Sequence, residues 1–360
     1  MRRSARRLAA ATALVASTLV LVAGCTLPPN DEPGPDITHG TGDSTQPAII
    51  GSCPSGLEGT VVASAGELVD AAASATAGTV IVLAAGNYSG EFSLTASGDE
   101  ANRITLCGPR DAVLDGGDTG NGYTLHLQAA SYWTLAGFSV SGGQKGVMLD
   151  GSSNNTISGL RISNVGDEAL HLRAHSTDNL LENNEISTTG LNSAAFGEGI
   201  YIGSAQSNWC SYTGCEPDRS DNNRIIGNTI SATTSENIDI KEGTSGGEIR
   251  GNTFDGAGAT DADSLIDVKG TDWVVADNIG THSPMDGAQV HVIKELPGSG
   301  NTFTGNTFSV AAGGLAINVV GDARDANNRV ACSNAVISDG TVGTAAGAAA
   351  RLSNLQCVAI

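Results

Sequence analysis

In ENIDIK (Glu236–Lys241) and LIDVK (Leu265–Lys269) charged residues alternate with aliphatic ones. Asp239 and Lys241, and again Asp267 and Lys269, therefore share the face opposite Ile238, Ile240, Ile266 and Val268. Ammonium and carboxylate groups side by side can move protons and neutralise an acidic substrate. Glu198, Glu236 and Asp239 add the oxygen donors that calcium takes, at about 2.3 to 2.6 Å. Asp239 and Asp267, at like positions one strand apart, suit a different chemistry: retaining glycosidases hold two carboxyl groups about 5 to 5.5 Å apart. The alternative without chemistry is a solvated face of mutually satisfied charges, where each pair contributes little.

These residues belong to a repeat. Segments that begin at Tyr123, Gly146, Ala169, Gly199, Asn237, Leu265, Gln289 and Leu315 follow one another at 23, 23, 30, 38, 28, 24 and 26 residues. Such a period is that of a solenoid, with alternate aliphatics facing one core. A second phase places asparagine before a strand-like pair at Asn184, Asn228, Asn252, Asn278 and Asn306. Asparagine tolerates the left-handed conformation, so these positions predict a hydrogen-bonded ladder at a repeated turn. Short strands and glycine-rich turns exclude long helices. The fold class expected is all-β, a parallel β-helix solenoid over residues 51–360, with GELVDAAASA (Gly66–Ala75) as a short capping helix.

Stacked rungs turn equivalent positions into columns about 4.8 Å apart. One column is expected to hold His126, Met148, His171, Tyr201, Asp239, Asp267, His291 and Asn318. A second holds Asp150, Arg173, Gly203, Lys241, Lys269 and Ile293, and a third Glu168, Glu198 and Glu236. Polar groups crowd between Glu168 and Lys294, as a binding groove requires, so His171, Arg173, Tyr201, Asp239, Asp267, His291 and Lys294 are its expected lining. The insert Ala205–Ser220 carries Trp209 and Tyr212 in a chain with only 4% aromatics. Trp209 is expected to stack on a sugar, the alternative being a plug for its own loop. Outward side chains on such a face should tolerate replacement within about 0.5 kcal/mol.

The ends place the protein outside the cytoplasm. Arg2, Arg3, Arg6 and Arg7 precede an apolar run that stops at Cys25, as in a secretory signal. The ending LVAGC resembles the lipobox of bacterial lipoproteins, which implies cleavage after residue 24, lipidation of Cys25 and membrane attachment through that lipid alone. Residues 25–50 read as a Pro- and Gly-rich tether. Loss of the four arginines leaves 14 Lys and Arg against 38 Asp and Glu, a net charge of −24. That balance excludes nucleic acid as a partner, and it means that a polyanionic glycan needs a local cationic stripe. The six remaining cysteines predict Cys53–Cys107, Cys210–Cys215 and Cys332–Cys357 bridges, one of fifteen possible connectivities.

The rungs around Lys241 resemble the β-helix polysaccharide lyases that include chondroitinase B and related alginate lyases. In that family an E-x-x-x-x-K rung puts Glu on calcium and uses Lys as base; here Glu236 and Lys241 have that spacing, and GNTF (Gly251–Phe254) follows as the family's turn. GEGIYIGS resembles the preceding glycine–glutamate rung, and LIDVKG puts Lys269 where a catalytic arginine falls. Thr234 stands in place of a second calcium-binding glutamate. The resemblance implies a right-handed, pectate-lyase-like helix that cleaves an acidic polysaccharide by β-elimination, with Lys241 and Lys269 catalytic and calcium at Glu198, Glu236 and Asp239. The expected form is a monomer, with hydrolysis or glycan binding without turnover as the alternatives.

Overall fold

The computed structural model describes Cys53, residues 58–338 apart from 294, 295, 297 and 312, and residues 351–360. Lys294, Cys25 and the leader and tether lie outside the described residues. The alternating segments form strands, and each pairs in parallel with the strand one rung away. Three sheets of 11, 10 and 10 strands result, which is a parallel β-helix. One rung shows the plan: Ile238–Ile240 begins it, Glu248–Arg250 turns the first corner, and Thr253–Asp255 closes the circuit. Its inward residues Ile238, Ile240, Ile249 and Phe254 are fully buried, stacked on their counterparts above and below. Continuous burial of branched aliphatics along the axis supplies the main stabilisation, at about 25 cal/mol per Å² of apolar surface.

The capping helix spans Ala65–Ala73. Ser64 caps it by accepting from the Glu67 N–H at 3.3 Å, and the Glu67 carboxylate accepts from the Ala63 N–H at 2.7 Å. This reciprocal pair satisfies one orphan donor of the helix and the N–H just before its cap. Leu68 and Ala72 point down onto the first rungs and close the core. The cysteines pair as expected, Cys53 with Cys107, Cys210 with Cys215 and Cys332 with Cys357.

The asparagine ladder is present, but for a different local reason. The left-handed residue is the one before each ladder asparagine: Asn183, Gly227, Gly251, Asp277 and Gly305 all have positive φ. The ladder side chain itself lies inside and satisfies backbone at the corner. The Asn252 amide donates to the Ile225 carbonyl at 2.9 Å and to Asn278 Oδ1 at 3.0 Å, while its oxygen accepts the Asn228 N–H at 2.8 Å and the Asn228 amide at 3.0 Å. Asn252→Ala strands several buried groups, each worth about 1 to 3 kcal/mol. Urea unfolding should show a loss of about 3 kcal/mol or more, whereas exposed Asn87→Ala should stay within about 0.5 kcal/mol.

Candidate active site

The site sheet is the one through Leu170–Arg173, Ile200–Ile202, Ile238–Ile240, Ser264–Val268 and Asp286–Val290. Strand pairing aligns His171, Tyr201, Asp239 and Asp267 in one column, as the sequence predicts. On the next rung the column continues through Gln289, not His291. His291 falls beside Lys269 in the column assigned to Ile293, since its N–H bonds to the Val268 carbonyl at 3.0 Å. It still reaches the site, with Nε2 3.5 Å from Asp267 Oδ1 and 2.7 Å from Gln289 Oε1.

Asp239 is the electrostatic centre and is only 2% exposed. Lys269 Nζ donates to its Oδ1 at 2.8 Å and also pairs with Asp267, while Lys241 pairs with Asp239 Oδ2. Burial works against charge on Asp239, but the two ammonium groups outweigh it and hold its carboxyl below the ordinary value. Burial likewise disfavours both lysine cations, and Asp239 more than restores them, so that each lysine lies above its ordinary value. These charges are not a solvated face, and replacing either lysine disturbs a buried pair.

Glu198, Glu236 and Asp239 each present a carboxylate oxygen, all within 4.8 Å of one another. Glu198 Oε2 is buried and makes no hydrogen bond among the described residues. Burial first, then Asp239, pushes Glu198 well up and raises Glu236 to about 7. Three crowded carboxylates with an orphaned oxygen fit a hard divalent cation.

Beside this cluster lies a pocket of about 340 Å³, lined on its floor by Lys145, Glu168, His171, Arg173 and Tyr201. The His171 and Tyr201 rings pack 4.4 Å apart, and Lys241 Nζ sits 4.7 Å from the Tyr201 centroid. His171 Nε2 bonds to the Gly203 carbonyl at 3.0 Å, and Nδ1 lies 3.3 Å from Glu168 in poor hydrogen-bond alignment. Lys145 pairs with Glu168 and lines the pocket, although its rung reads as outside the polar cluster in sequence. Arg173 is gripped by Asp150, Nε to Oδ1 at 2.6 Å and Nη2 to Oδ2 at 3.2 Å.

The insert forms one wall of the pocket, with Tyr212 rather than Trp209 as its aromatic. Trp209 is 5% exposed, donates from Nε1 to the Ser204 carbonyl at 2.9 Å and rests on Gly243. It plugs its own loop, so no ring face is open to a sugar. Tyr212 is 40% exposed and lies over the Arg173 guanidinium, 3.9 Å from ring centroid to Cζ. Asp218, fully buried, anchors the loop: it accepts the Ala174 and His175 N–H groups at 3.0 Å and the Ser204 and Ser220 hydroxyls at 2.8 Å. Tyr123, Gln144 and Phe196 also line the pocket. Gln144 and Phe196 lie between strands, where no periodicity marks them, and Tyr123 begins the strand Tyr123–Gln128.

The resting ion pairs carry a pH dependence. Burial raises Asp150, but hydrogen bonds from His126 and Arg173 outweigh it and bring it to about 2. Glu168 is likewise at about 2, with His171 and Lys145 overcoming burial. A depressed carboxyl stabilises the fold above its unfolded value and loses that contribution as pH falls through its folded value. Thermal unfolding of the wild type should therefore weaken from about pH 4 down to about pH 2. Asp150→Asn should start less stable at neutral pH and fall less steeply over that window.

The description of a Pel9A-like, right-handed β-helix region matches residues 53–215. An alginate lyase from Paenibacillus sp. str. FPU-7 is 36% identical, with a TM-score of 0.72 over 81% of this chain and 96% of that one. The pectate lyase Pel9A, at 15% identity and TM-score 0.50, covers 78% of this chain and 75% of its own. The periplasmic alginate epimerase AlgG, at 10% and 0.51, covers 73% and 61%. The last two share the fold. No curated protein matches the chain. At 36% identity over nearly the whole of its relative, this chain belongs to the right-handed parallel β-helix family of the Paenibacillus alginate lyase.

Proposed function

We propose that the protein is an extracytoplasmic polysaccharide lyase that cleaves a uronate polymer of the alginate type by β-elimination. The observation that carries this reading is the pair of lysines on consecutive rungs, Lys241 and Lys269, bound to Asp239 and Asp267 in a relative of an alginate lyase. In the reaction the C5 proton leaves, the C4–O bond breaks with its electron pair, a C4=C5 double bond forms, and the leaving oxygen gains a proton. The C5 carboxylate must be neutralised for that proton to become acidic.

Lys269 bridges two carboxylates and stays charged, which suits it to neutralise the substrate carboxylate. Lys241 has one carboxylate partner; release from Asp239 removes the charge that holds it protonated, so it can lose its proton to solvent and then take the C5 proton as the neutral amine. The Tyr201 phenol, held protonated by burial and by the carboxylates of Asp239, Glu198 and Glu168, can donate to the leaving oxygen. Glu198, Glu236 and Asp239 would hold calcium, which when bound supplies further positive charge for the uronate carboxylate. Hydrolysis fits less well, because Asp239 is held ionised by two lysines and cannot serve as the general acid. Export rests on the leader and the three disulfides, and attachment would be through lipidated Cys25.

Incubation with alginate, pectate, a glycosaminoglycan and a neutral glycan should give the ultraviolet absorbance of unsaturated uronate ends from a uronate polymer only. Reducing ends without that absorbance would replace the lyase by a hydrolase, and tight binding without product would leave a glycan-binding module. Lys241→Ala and Lys269→Ala should each lower turnover by about 10²- to 10⁴-fold. Lys241→Ala leaves Asp239 the Lys269 ammonium, so its stability loss should stay below the roughly 3 to 5 kcal/mol of a stranded buried charge, whereas Lys269→Ala also takes the lysine from buried Asp267 and should cost more.

Calcium binding is tested separately by calorimetry. The wild type should bind and Glu198→Gln should bind more weakly. Identical isotherms would remove the carboxylate cluster from the reading.

A further inference from the structure

The pocket under the stapled loop contains polar groups that the fold positions and then leaves free. Arg173 is 7% exposed, and Asp150 fixes its Nε edge while Tyr212 covers one face. Its Nη2 is shared between Asp150 and the Tyr123 hydroxyl at 3.4 Å. Nη1 makes no hydrogen bond among the described residues, and neither do the Asn208 side-chain amide and the Tyr201 hydroxyl, which line the same pocket. The other charged residues of the lining are engaged: Lys145 with Glu168, and Asp167 with Gln144 and Asn192.

The floor between Arg173 and Lys241 is bare backbone. Gly203 occupies the intervening rung with φ 86°, and a Cβ there would lie 2.6 Å from Thr244 Cγ2. Arg173 and Lys241 are therefore about 9 to 10 Å apart along the axis, two rungs at roughly 4.8 Å each. One 1,4-linked pyranose is about as long as one rung is high, so a chain lying along the axis would place a sugar over Gly203 and its neighbours over Arg173 and Lys241.

We propose that this pocket is a second uronate subsite, in which Arg173 Nη1 binds the carboxylate of a sugar that is not cleaved and Tyr212 holds the guanidinium flat for it. The inference rests on the polysaccharide reading above. Its physical basis is a guanidinium already fixed by Asp150 and Tyr212, so that Nη1 meets a carboxylate without the ordering cost of a mobile ammonium. The disulfide between Cys210 and Cys215 then has a binding role, since it braces the turn that carries Tyr212.

Calorimetry on the full chain carrying Lys241→Ala, to suppress turnover, would compare a hexamer of mannuronate or guluronate with its carboxyl-reduced, neutral counterpart. Adding the pair Asp150→Asn and Arg173→Gln, which avoids stranding Asp150, should weaken the uronate hexamer on the order of tenfold or more and leave the neutral hexamer unchanged. In otherwise wild-type protein, Tyr212→Ala should raise KM for the polymer severalfold with kcat kept. Unchanged hexamer affinity in the paired variant with unchanged KM in Tyr212→Ala, both folded by circular dichroism, overturns the subsite. Equal loss for both hexamers overturns it too, because the pocket would not be reading a carboxylate. Lyase product from the wild type alongside either result leaves the proposed function standing. No uronate binding and no unsaturated product sinks both.

Discussion

Parallel hydrogen bonding from rung to rung is the constraint on which every other feature rests. It fixes the axial spacing and the register together, so residues from sequence positions dozens apart become neighbours in a straight column. His171, Tyr201, Asp239 and Asp267 acquire their mutual geometry in this way, on strands whose own inward residues are fully buried. Because the scaffold is rigid, the site needs no local structure of its own beyond side chains. The asparagine ladder performs the same service for the corners, where its amides donate to carbonyls of the preceding rung and its oxygens accept that rung's corner N–H groups.

On that frame the buried carboxylate of Asp239 organises the chemistry. A charge at 2% exposure must be compensated, and two lysines from adjacent rungs do so. The same arrangement orders Glu198 and Glu236 around it with fewer partners, which raises their affinity for protons or for a cation. A chain of net charge −20 repels a polyanion at long range. Local cations whose counter-charges are built in can still receive a substrate carboxylate by exchange rather than by net attraction.

The fold was legible in the sequence because the repeat has two independent phases, alternation and corner asparagine, that agree on one period. The capping helix followed from the need to cover the solenoid's open end. The site was legible only where strands align without slip. His291 was misplaced because Val290 and Val292 continue the alternation of Gln289–Ile293, and a shift of two residues returns every side chain to the same face. Only strand pairing reveals such a shift. Trp209 was misread for another reason: composition identifies an aromatic in an insert but not which way the loop folds, and the hydrogen bond to Ser204 turned it inward. Lys145 looked remote because its partner Glu168 lies one rung on, in the column that precedes the alternating core.

These misreadings share a cause with the function. The parts of the site that periodicity predicts, Asp239, Lys241, Asp267 and Lys269, are those carried by the strands, and they are suited to chemistry common to a fold family. Those it does not predict, Tyr212, Phe196 and Asn208, come from inserts that interrupt the period and line one side of the pocket. Inserts can vary without disturbing the ladder, because the stacked strands resume on either side of Ala205–Ser220 with their pairing intact. On the proposed function, reaction type therefore resides in the columns, and the choice of glycan resides in the loops that wall them.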